Sequence, residues 1–220
     1  MATTKPLSDV AGLKAQLLAR MISKEVFRIP IQAVDLYRTL LASYEAEVAA
    51  RSRAYLANDE VKRHLWKIAR ILTEGPQKGG IMLNGLYGNG KTTTVRALAA
   101  ALNYLRDTGA YYGDNLGIVI ADAKDIAALA TDRKALEKLS RKPCALAIED
   151  MGREPAEVMS YGNVLSPIAD LVETRYALQL YTIVTTNLTP AQISERYGPR
   201  IADRFREMLH VLTFKNPSFR

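Results

Sequence analysis

Apolar residues recur at helical spacing in the first quarter of the chain. From Ile31 to Tyr55 every third or fourth position is apolar and polar residues fill much of the other face, which predicts an amphipathic helix. Because a proline restricts the residue before it, Pro30 separates this helix from an earlier helical segment around Ser8–Phe27. The predicted buried stripe consists of Val34, Tyr37, Leu41, Tyr44 and Val48.

A third helix is predicted to start at Asn58 or Asp59, because either side chain can accept hydrogen bonds from the first free amides of a helix. It ends at Gly75-Pro76, a pair that terminates helices. We place a domain boundary near residue 57, between an N-terminal helical region (residues 1–57) and a larger domain (residues 58–220). The predicted buried stripe of the third helix consists of Val61, Leu65, Ile68 and Leu72.

The pattern changes after Gly80, where short β-rich runs alternate with helical segments. The runs are almost entirely apolar, which is typical of strands that helices cover on both faces. The sequence therefore predicts an α/β fold with a doubly wound, parallel, five-stranded sheet. The five predicted strands are Ile81–Asn84, Gly117–Ala121, Cys144–Ile148, Tyr181–Thr186 and Val211–Phe214.

The first predicted strand runs into a glycine-rich loop with the sequence GLYGNGKT, and a helical run follows it. This is an uninterrupted match to the phosphate-binding pattern G-x-x-x-x-G-K-[ST] in its strand–loop–helix context. Such a loop turns its amides towards phosphate oxygens, its lysine reaches the β- and γ-phosphates, and its threonine can hold Mg²⁺. The sequence thus predicts binding of ATP with Mg²⁺. The predicted nucleotide-binding residues here are Gly85, Gly88, Asn89, Gly90, Lys91, Thr92 and Thr93.

Two acids, Glu149 and Asp150, follow the third predicted strand in the reverse of the usual order, which is Asp and then Glu. We assign Glu149, with Thr92, to the Mg²⁺ shell and Asp150 to the general base that orients the attacking water. An alternative register puts Asp150 on the metal and Met151 where the base belongs. Since a misplacement of about 1 Å can cost on the order of 10²-fold in rate, either register predicts slow hydrolysis.

Polar residues further along the chain complete the predicted site. Asn187 follows the fourth predicted strand, and ligands of a doubly wound sheet lie beyond the carboxyl ends of its strands. It is therefore placed to meet the γ-phosphate or the attacking water. Arg200 and Arg204 stand four residues apart, on one face of a helix, and Arg220 is the last residue.

The segments GLYGNGKT, LAIEDMG, TIVTTN, YGPRIADRF and NPSFR, in this order, resemble the AAA+ ATPases of the bacterial helicase-loader group. That group comprises DnaC-type loaders and IstB-type transposition relatives, and the resemblance covers roughly residues 58–220. It implies that Asn187 is the sensor-1 residue and that Arg220 is the sensor-2 arginine. It also implies that Arg200 or Arg204 is an arginine finger for the nucleotide of a neighbouring subunit, so that ATP binding is cooperative with self-assembly.

Composition and charge exclude some classes of protein and favour others. Among 220 residues, 30 Lys and Arg against 23 Asp and Glu give a formal net charge of +7, which favours an anionic partner. The single cysteine, Cys144, excludes a disulfide scaffold and a zinc ribbon of cysteine pairs. No apolar stretch is long enough to span a bilayer and no signal-peptide pattern is present, so we expect a cytoplasmic protein without a membrane partner.

The segment Asp122–Lys142 is rich in basic residues. In the resembled group an extra helical element in this region contacts single-stranded DNA, and basic side chains would neutralise its phosphates without reading sequence. The alternative is an ordinary solvated helix face. By the same resemblance, residues 1–57 would dock on a replicative helicase, or else they pack onto the chain's own ATPase domain. The predicted DNA-binding residues are Lys124, Arg133, Lys134, Lys138 and Arg141.

These features favour an ATPase that loads or assists a replicative helicase. An IstB-type helper that works with a transposase and prefers duplex DNA is a close alternative. An ATP switch that does not hydrolyse is a third reading, motivated by the reversed acids. A small-molecule or nucleotide kinase is a fourth, and it is disfavoured because the sequence has no separate arginine-rich lid segment.

Overall fold

The computed structural model describes residues 9–20, 27–52, 58–74, 78–110, 117–155, 157–160 and 163–219. Within these ranges the chain forms nine α-helices and seven β-strands. The helices are α1 (Val10–Arg20), α2 (Ala33–Ala49), α3 (Asp59–Thr73), α4 (Lys91–Asp107), α5 (Ala123–Ala128), α6 (Arg133–Ser140), α7 (Pro167–Ala177), α8 (Pro190–Tyr197) and α9 (Pro199–Met208). The strands are β1 (Gly80–Gly85), β2 (Ile118–Asp122), β3 (Ala145–Met151), β4 (Val158–Ser160), β5 (Asn163–Leu165), β6 (Thr182–Thr186) and β7 (Leu209–Phe214).

Five strands form one parallel sheet in the order β2-β3-β6-β1-β7. They correspond to the five predicted strands, so the prediction of a parallel α/β sheet is confirmed. Because parallel strands end at the same edge of a sheet, the segments that follow β1, β3 and β6 lie side by side. The remaining strands, β4 and β5, form a short antiparallel pair that the sequence analysis missed.

Successive residues of the central strands enter two different hydrophobic cores. In β1, Ile81 and Leu83 belong to a core with α2, α3 and α4, whereas Met82 belongs to a core with α5, α7 and α9. In β3, Ala147 and Ile148 divide between the same two cores. Helices therefore cover both faces of the sheet, which explains why its strands are apolar throughout.

The buried stripe of α2 agrees with the predicted one only in part. Its buried residues are Ala33, Leu36, Leu40 and Tyr44, so Tyr44 is buried as predicted, whereas Val34 is 41% exposed. The prediction was wrong for Val34 because α2 carries two adjacent apolar rows. The residues Tyr37, Leu41 and Val48 lie at the flank of the core and are partly buried.

The helix α3 starts as predicted. The side-chain oxygen of Asn58 accepts hydrogen bonds from the amides of Glu60 (2.8 Å) and Val61 (3.2 Å), which is an N-cap. The predicted helix end at Gly75-Pro76 falls outside the described residues. The four residues of the predicted stripe, Val61, Leu65, Ile68 and Leu72, are all buried.

The helix α2 packs on α3 and α4, in the same core as the sheet. Residues 33–49 are thus joined to the larger domain by packing, as in one of the two alternatives for the N-terminal region. The domain boundary near residue 57 stays a prediction, and residues 53–57 lie outside the described part of the chain.

One arginine, Arg175 of α7, is fully buried below the edge of the sheet opposite the strands' carboxyl ends. Burial lowers the pKa of its guanidinium to about 10. Five hydrogen bonds satisfy the guanidinium of Arg175. It therefore links the end of α6 to the starts of β3 and β6. The acceptors are the carbonyl oxygens of Ser140 (3.2 Å), Lys142 (3.1 Å), Cys144 (3.1 Å) and Tyr181 (2.7 Å) and the hydroxyl of Thr182 (2.9 Å).

Across the ranges that the structure describes, every helix is too short or too polar to traverse a bilayer.

Candidate functional site

The glycine-rich loop between β1 and α4 has a backbone that only glycine adopts easily. Gly85, Gly88 and Gly90 have φ angles of +151°, +77° and +96°. A Cβ atom at Gly85 would lie 2.4 Å from the carbonyl oxygen of Phe214, and one at Gly90 would lie 2.6 Å from the hydroxyl of Tyr44. The helix α4 starts directly after Gly90, so its free amides and positive end point at the loop.

The lysine of the loop is buried at its centre. The ammonium of Lys91 donates to the carbonyl oxygens of Gly85 and Leu86, both at 2.7 Å, and to the side-chain oxygen of Asn89 at 3.2 Å. It also donates to the side-chain oxygen of Asn187 at 2.7 Å. Burial lowers the pKa of Lys91 to about 8. The structure therefore brings together the predicted loop lysine and the predicted polar residue after β6.

The loop is also held by the C-terminal segment. The side-chain nitrogen of Asn89 donates to the carbonyl oxygen of Phe214, and the side-chain nitrogen of Asn216 donates to the carbonyl oxygen of Asn89, both at 3.1 Å. The backbone amide of Phe219 donates to the carbonyl of Gly88 at 3.0 Å. The predicted sensor-2 residue, Arg220, follows immediately and lies outside the described residues.

The loop forms one wall of a cleft of about 890 Å³, a size typical of small-ligand sites. A polar part is formed by the loop, the two acids near the end of β3 and Asn187, and an apolar part is formed by α2, α3 and the C-terminal segment. A planar base suits the apolar part and a phosphate chain suits the polar part. The lining residues are Tyr44, Val48, Arg51, Val61, Tyr87, Gly88, Asn89, Gly90, Lys91, Thr92, Thr93, Arg96, Asp122, Glu149, Asp150, Arg153, Asn187 and Phe219.

Both predicted acids line this cleft, although neighbours in a regular strand point to opposite faces. The reason is a β-bulge. The pairing of β3 with β6 shifts by one residue between Ile148 and Met151, and such a bulge re-aims side chains. The structure therefore places Glu149 and Asp150 at one site.

The two acids have different surroundings. Glu149 is buried, which raises its pKa, its nearest cation is Arg96 at 4.0 Å, and its Oε1 has no hydrogen-bond partner among the described residues. Asp150 has a left-handed backbone (φ +54°), and its carboxylate lies 2.5 Å from Arg153. Its amide donates to the hydroxyl of Thr185 at 2.8 Å.

The donors for a metal ion are few. In the described ranges, no cluster of three or more His, Cys, Asp and Glu side chains is arranged to hold a metal. The cleft instead offers the hydroxyl of Thr92 and the carboxylates of Glu149 and Asp150. This set fits Mg²⁺, which is commonly held by one or two protein oxygens together with substrate phosphates.

The two predicted finger arginines do not line the cleft of their own chain. Both pair with Glu173 of α7, Arg200 at 3.2 Å and Arg204 at 2.5 Å. Their exposure differs, because the Arg200 side chain is 73% exposed and that of Arg204 is 15% exposed. The guanidinium of Arg204 also lies over the ring of Tyr176, 5.1 Å from its centroid.

The five predicted DNA-binding residues are all exposed, at the start of α5 and along α6. Arg141, which directly follows α6, forms an ion pair with Glu137 of that helix at 2.9 Å. In the part of the chain that the structure describes, Lys124, Lys134 and Lys138 take part in no ion pair. They are therefore free to meet an external anion.

Several residues of the cleft have no counterpart in the sequence analysis. Arg51, Arg96, Arg153 and Asp122 bring three cations and a further carboxylate to the lining. Only Asp122 carries a sequence signal, since it directly follows the predicted strand Gly117–Ala121. The arginines come from the end of α2, from α4 and from the turn after β3, and no local pattern distinguishes them from solvated surface residues.

The sheet order and the position of the loop together define the fold. A five-stranded parallel sheet in the order β2-β3-β6-β1-β7, with a phosphate-binding loop after its β1 strand, is the AAA+ type of P-loop fold.

Comparison with solved structures supports this fold. No protein-family model matches the chain, and no curated protein matches it in sequence. Among solved structures, the chain is similar to the DnaC helicase loader (24% identity, 73% of this chain, 93% of that chain, TM-score 0.54) and to DnaI (20% identity, 77% of this chain, 89% of that chain, TM-score 0.55). It is also similar to the replication initiator DnaA bound to AMPPCP and single-stranded DNA (16% identity, 74% of this chain, 49% of that chain, TM-score 0.51). At these identities the likeness establishes the fold.

Proposed function

We propose that this protein is an ATP-dependent AAA+ ATPase that acts as a helicase loader or helper in DNA replication. It binds ATP with Mg²⁺, hydrolyses it slowly, assembles with copies of itself and binds single-stranded DNA. The observation that carries the proposal is one cleft in which Lys91 contacts Asn187 and both acids face the phosphate-binding loop. The similarity of the fold to a helicase loader and to a DNA-bound replication initiator supports the role in replication.

The surroundings of the two acids support slow hydrolysis. Asp150, the preferred base, is held in an ion pair with Arg153, and a base must be free to accept a proton. Burial raises the pKa of Glu149, which disfavours the ionised form that binds Mg²⁺. An ATP switch without hydrolysis is the second candidate function, and the Asp150–Arg153 ion pair favours it.

Of the two arginines, Arg200 is the better candidate for the cation that reaches a neighbouring subunit's nucleotide. Its side chain is 73% exposed, so it can leave Glu173 at little cost. Arg204, 15% exposed and stacked on Tyr176, is better suited to joining α9 to α7. Arginine suits the finger role because its planar fork stays charged and matches phosphate oxygens.

The basic face of α5 and α6 is the proposed contact for single-stranded DNA. Its exposed cations can neutralise phosphates whatever the base sequence. The helix α1 is the proposed contact for the replicative helicase, because Val10 and Leu17 on it are exposed apolar residues and amphipathic helices dock in apolar grooves.

Calorimetry and phosphate release, with and without a single-stranded oligonucleotide, test the ATPase. We expect the wild type to bind Mg-ATP and to release phosphate faster with DNA, and the Lys91→Ala variant to lose both. The Arg38→Ala variant, altered at an exposed residue of α2, should behave as the wild type. Equal phosphate release by wild type and Lys91→Ala, with ATP still bound by the wild type, would favour the switch. Failure of the wild type to bind Mg-ATP would refute the proposal.

A salt titration of DNA binding tests the basic face. The double variant Lys134→Ala/Lys138→Ala should bind oligonucleotides of different sequence equally weakly, and its salt slope should fall by roughly 0.7 for each lost phosphate contact. Lys67→Ala, an exposed lysine of α3, is the matched control. An unchanged slope in the double variant would place the DNA elsewhere.

A further inference from the structure

We infer that Arg51, at the end of α2, binds the α-phosphate of the nucleotide in its own chain, so that the N-terminal helical region completes the nucleotide site. The inference rests on the proposed function, because it assumes that the cleft holds an adenine nucleotide. It adds a residue that the phosphate-binding pattern does not contain.

The geometry places Arg51 at the wall of the cleft. Its Nη1 donates to the hydroxyl of Thr93 at 2.7 Å, and its Nη2 lies 3.2 Å from the carboxylate of Glu47, one helical turn earlier. Its side chain is 34% exposed. A half-buried guanidinium is thus fixed beside the first turn of α4, where the loop amides also converge.

The position along the cleft indicates which phosphate it meets. Tyr44 and Val48 are one helical turn apart on α2, Arg51 lies in the turn that follows this helix, and all three line the cleft. The first two belong to the apolar part that suits a base. At the other end, Lys91 serves the β- and γ-phosphates and Thr92 serves the Mg²⁺ that these phosphates bind. When a nucleotide spans these two parts, the phosphate that lies beside Arg51 is the one nearest the ribose, which is the α-phosphate.

The charge distribution supports an anion at this point. A guanidinium presents several N–H donors in a rigid fork, and bonds between ionised partners are the strong class of hydrogen bond. The contact with Thr93 orients the fork towards the start of α4, whose helix dipole also favours negative charge. Glu47 offsets the charge of Arg51 only in part, because its side chain reaches one edge of the fork.

Nucleotides of different length provide the test. Calorimetry on the full chain with Mg-ATP and Mg-ADP, and competition with AMP, should show about tenfold weaker binding of all three to Arg51→Ala, the loss of roughly one charge-assisted hydrogen bond. The Arg51→Gln variant keeps a donor for Thr93 without the charge, and it should lose about as much. The Arg38→Ala variant, on the same helix and outside the cleft, should bind all three as the wild type does.

Each result decides the inference. Loss of ATP affinity alone would place Arg51 at the γ-phosphate, and loss for ATP and ADP without AMP would place it at the β-phosphate, so both overturn the assignment. Unchanged affinities in Arg51→Ala and Arg51→Gln overturn it while the proposed function stands. A wild type that binds no nucleotide overturns both. Thermal unfolding without nucleotide shows whether the variants are folded, and a purely structural role would not weaken binding to folded Arg51→Gln.

Discussion

At the scale of single residues, the reversed order of the two acids matches the backbone on which they stand. Asp150 has a left-handed φ of +54°, a conformation that Asp tolerates better than longer side chains, because its short carboxylate can bond locally. Glu149 precedes it in the buried part of the bulge, where the longer side chain reaches into the cleft. The order Glu-Asp is therefore compatible with the backbone at the end of β3. Each carboxylate, however, stands where the other residue type usually does.

Glu149 should support ATP hydrolysis but lower the free energy of unfolding. Its pKa is raised by burial, so its ionisation at neutral pH opposes folding. We expect Glu149→Gln to increase the free energy of unfolding by about 1 kcal/mol at neutral pH and to reduce ATP hydrolysis.

The sign of the pH effect follows from the raised pKa. Below the ordinary range of a glutamate, the side chain is neutral in both folded and unfolded chains, so the advantage of the variant should disappear there. Denaturant titrations at neutral and acidic pH measure it. A Glu149→Gln protein less stable than wild type at neutral pH would contradict the prediction.

Lys91 should make nucleotide binding sensitive to alkaline pH. Burial lowers its pKa to about 8, and only the ammonium form attracts phosphate. Affinity for Mg-ATP should therefore fall as the pH rises through this value, by about tenfold between pH 7 and pH 9. Calorimetry at the two pH values measures it, and Lys91→Arg, which keeps its charge, should show a flatter profile. Constant wild-type affinity would show that Lys91 stays charged.

At the scale of elements, the buried Arg175 joins the segment between α6 and β3 to the start of β6. Replacing it by methionine would leave buried carbonyl oxygens without donors, so we expect Arg175→Met to cost about 3–5 kcal/mol of unfolding free energy. Arg133→Met, at an exposed position of α6, should cost much less. Chemical denaturation compares the two variants, and equal stabilities would show that water or other donors replace the guanidinium.

The elements also show which parts of the site can be predicted from sequence. The β1 strand, the loop and the start of α4 are contiguous, so their chemistry is visible in eight successive letters, GLYGNGKT. Buried parallel strands such as β3 and β6 stand out as apolar runs because helices cover both faces of the sheet. Arg51 and Tyr44 reach the same cleft only because α2 packs on α4, and sequence patterns carry no record of such long-range packing.

At the scale of the whole molecule, the proposed function requires a second copy of the chain to complete the site. If Arg200 acts on a neighbour's nucleotide, Lys91→Ala and Arg200→Ala should each be inactive alone. Mixed together they should recover part of the activity, because some interfaces then combine an intact loop with an intact arginine. Phosphate release across mixing ratios measures this.

The matched variant is Arg204→Ala. If the role of Arg204 is to join α9 to α7, this variant should have a lower thermal stability than the wild type. Mixing it with Lys91→Ala should not restore activity in the way that Arg200→Ala does. No recovery in any Lys91→Ala and Arg200→Ala mixture would contradict a finger that acts between subunits.

The hydrogen bond between Phe219 and Gly88 has a practical consequence for anyone who handles this protein. Phe219 lines the cleft, so an affinity tag or fluorescent fusion joined to this end of the chain would lie close to the bound ligand. A label at the opposite terminus, or none, is the safer choice for every binding measurement described above.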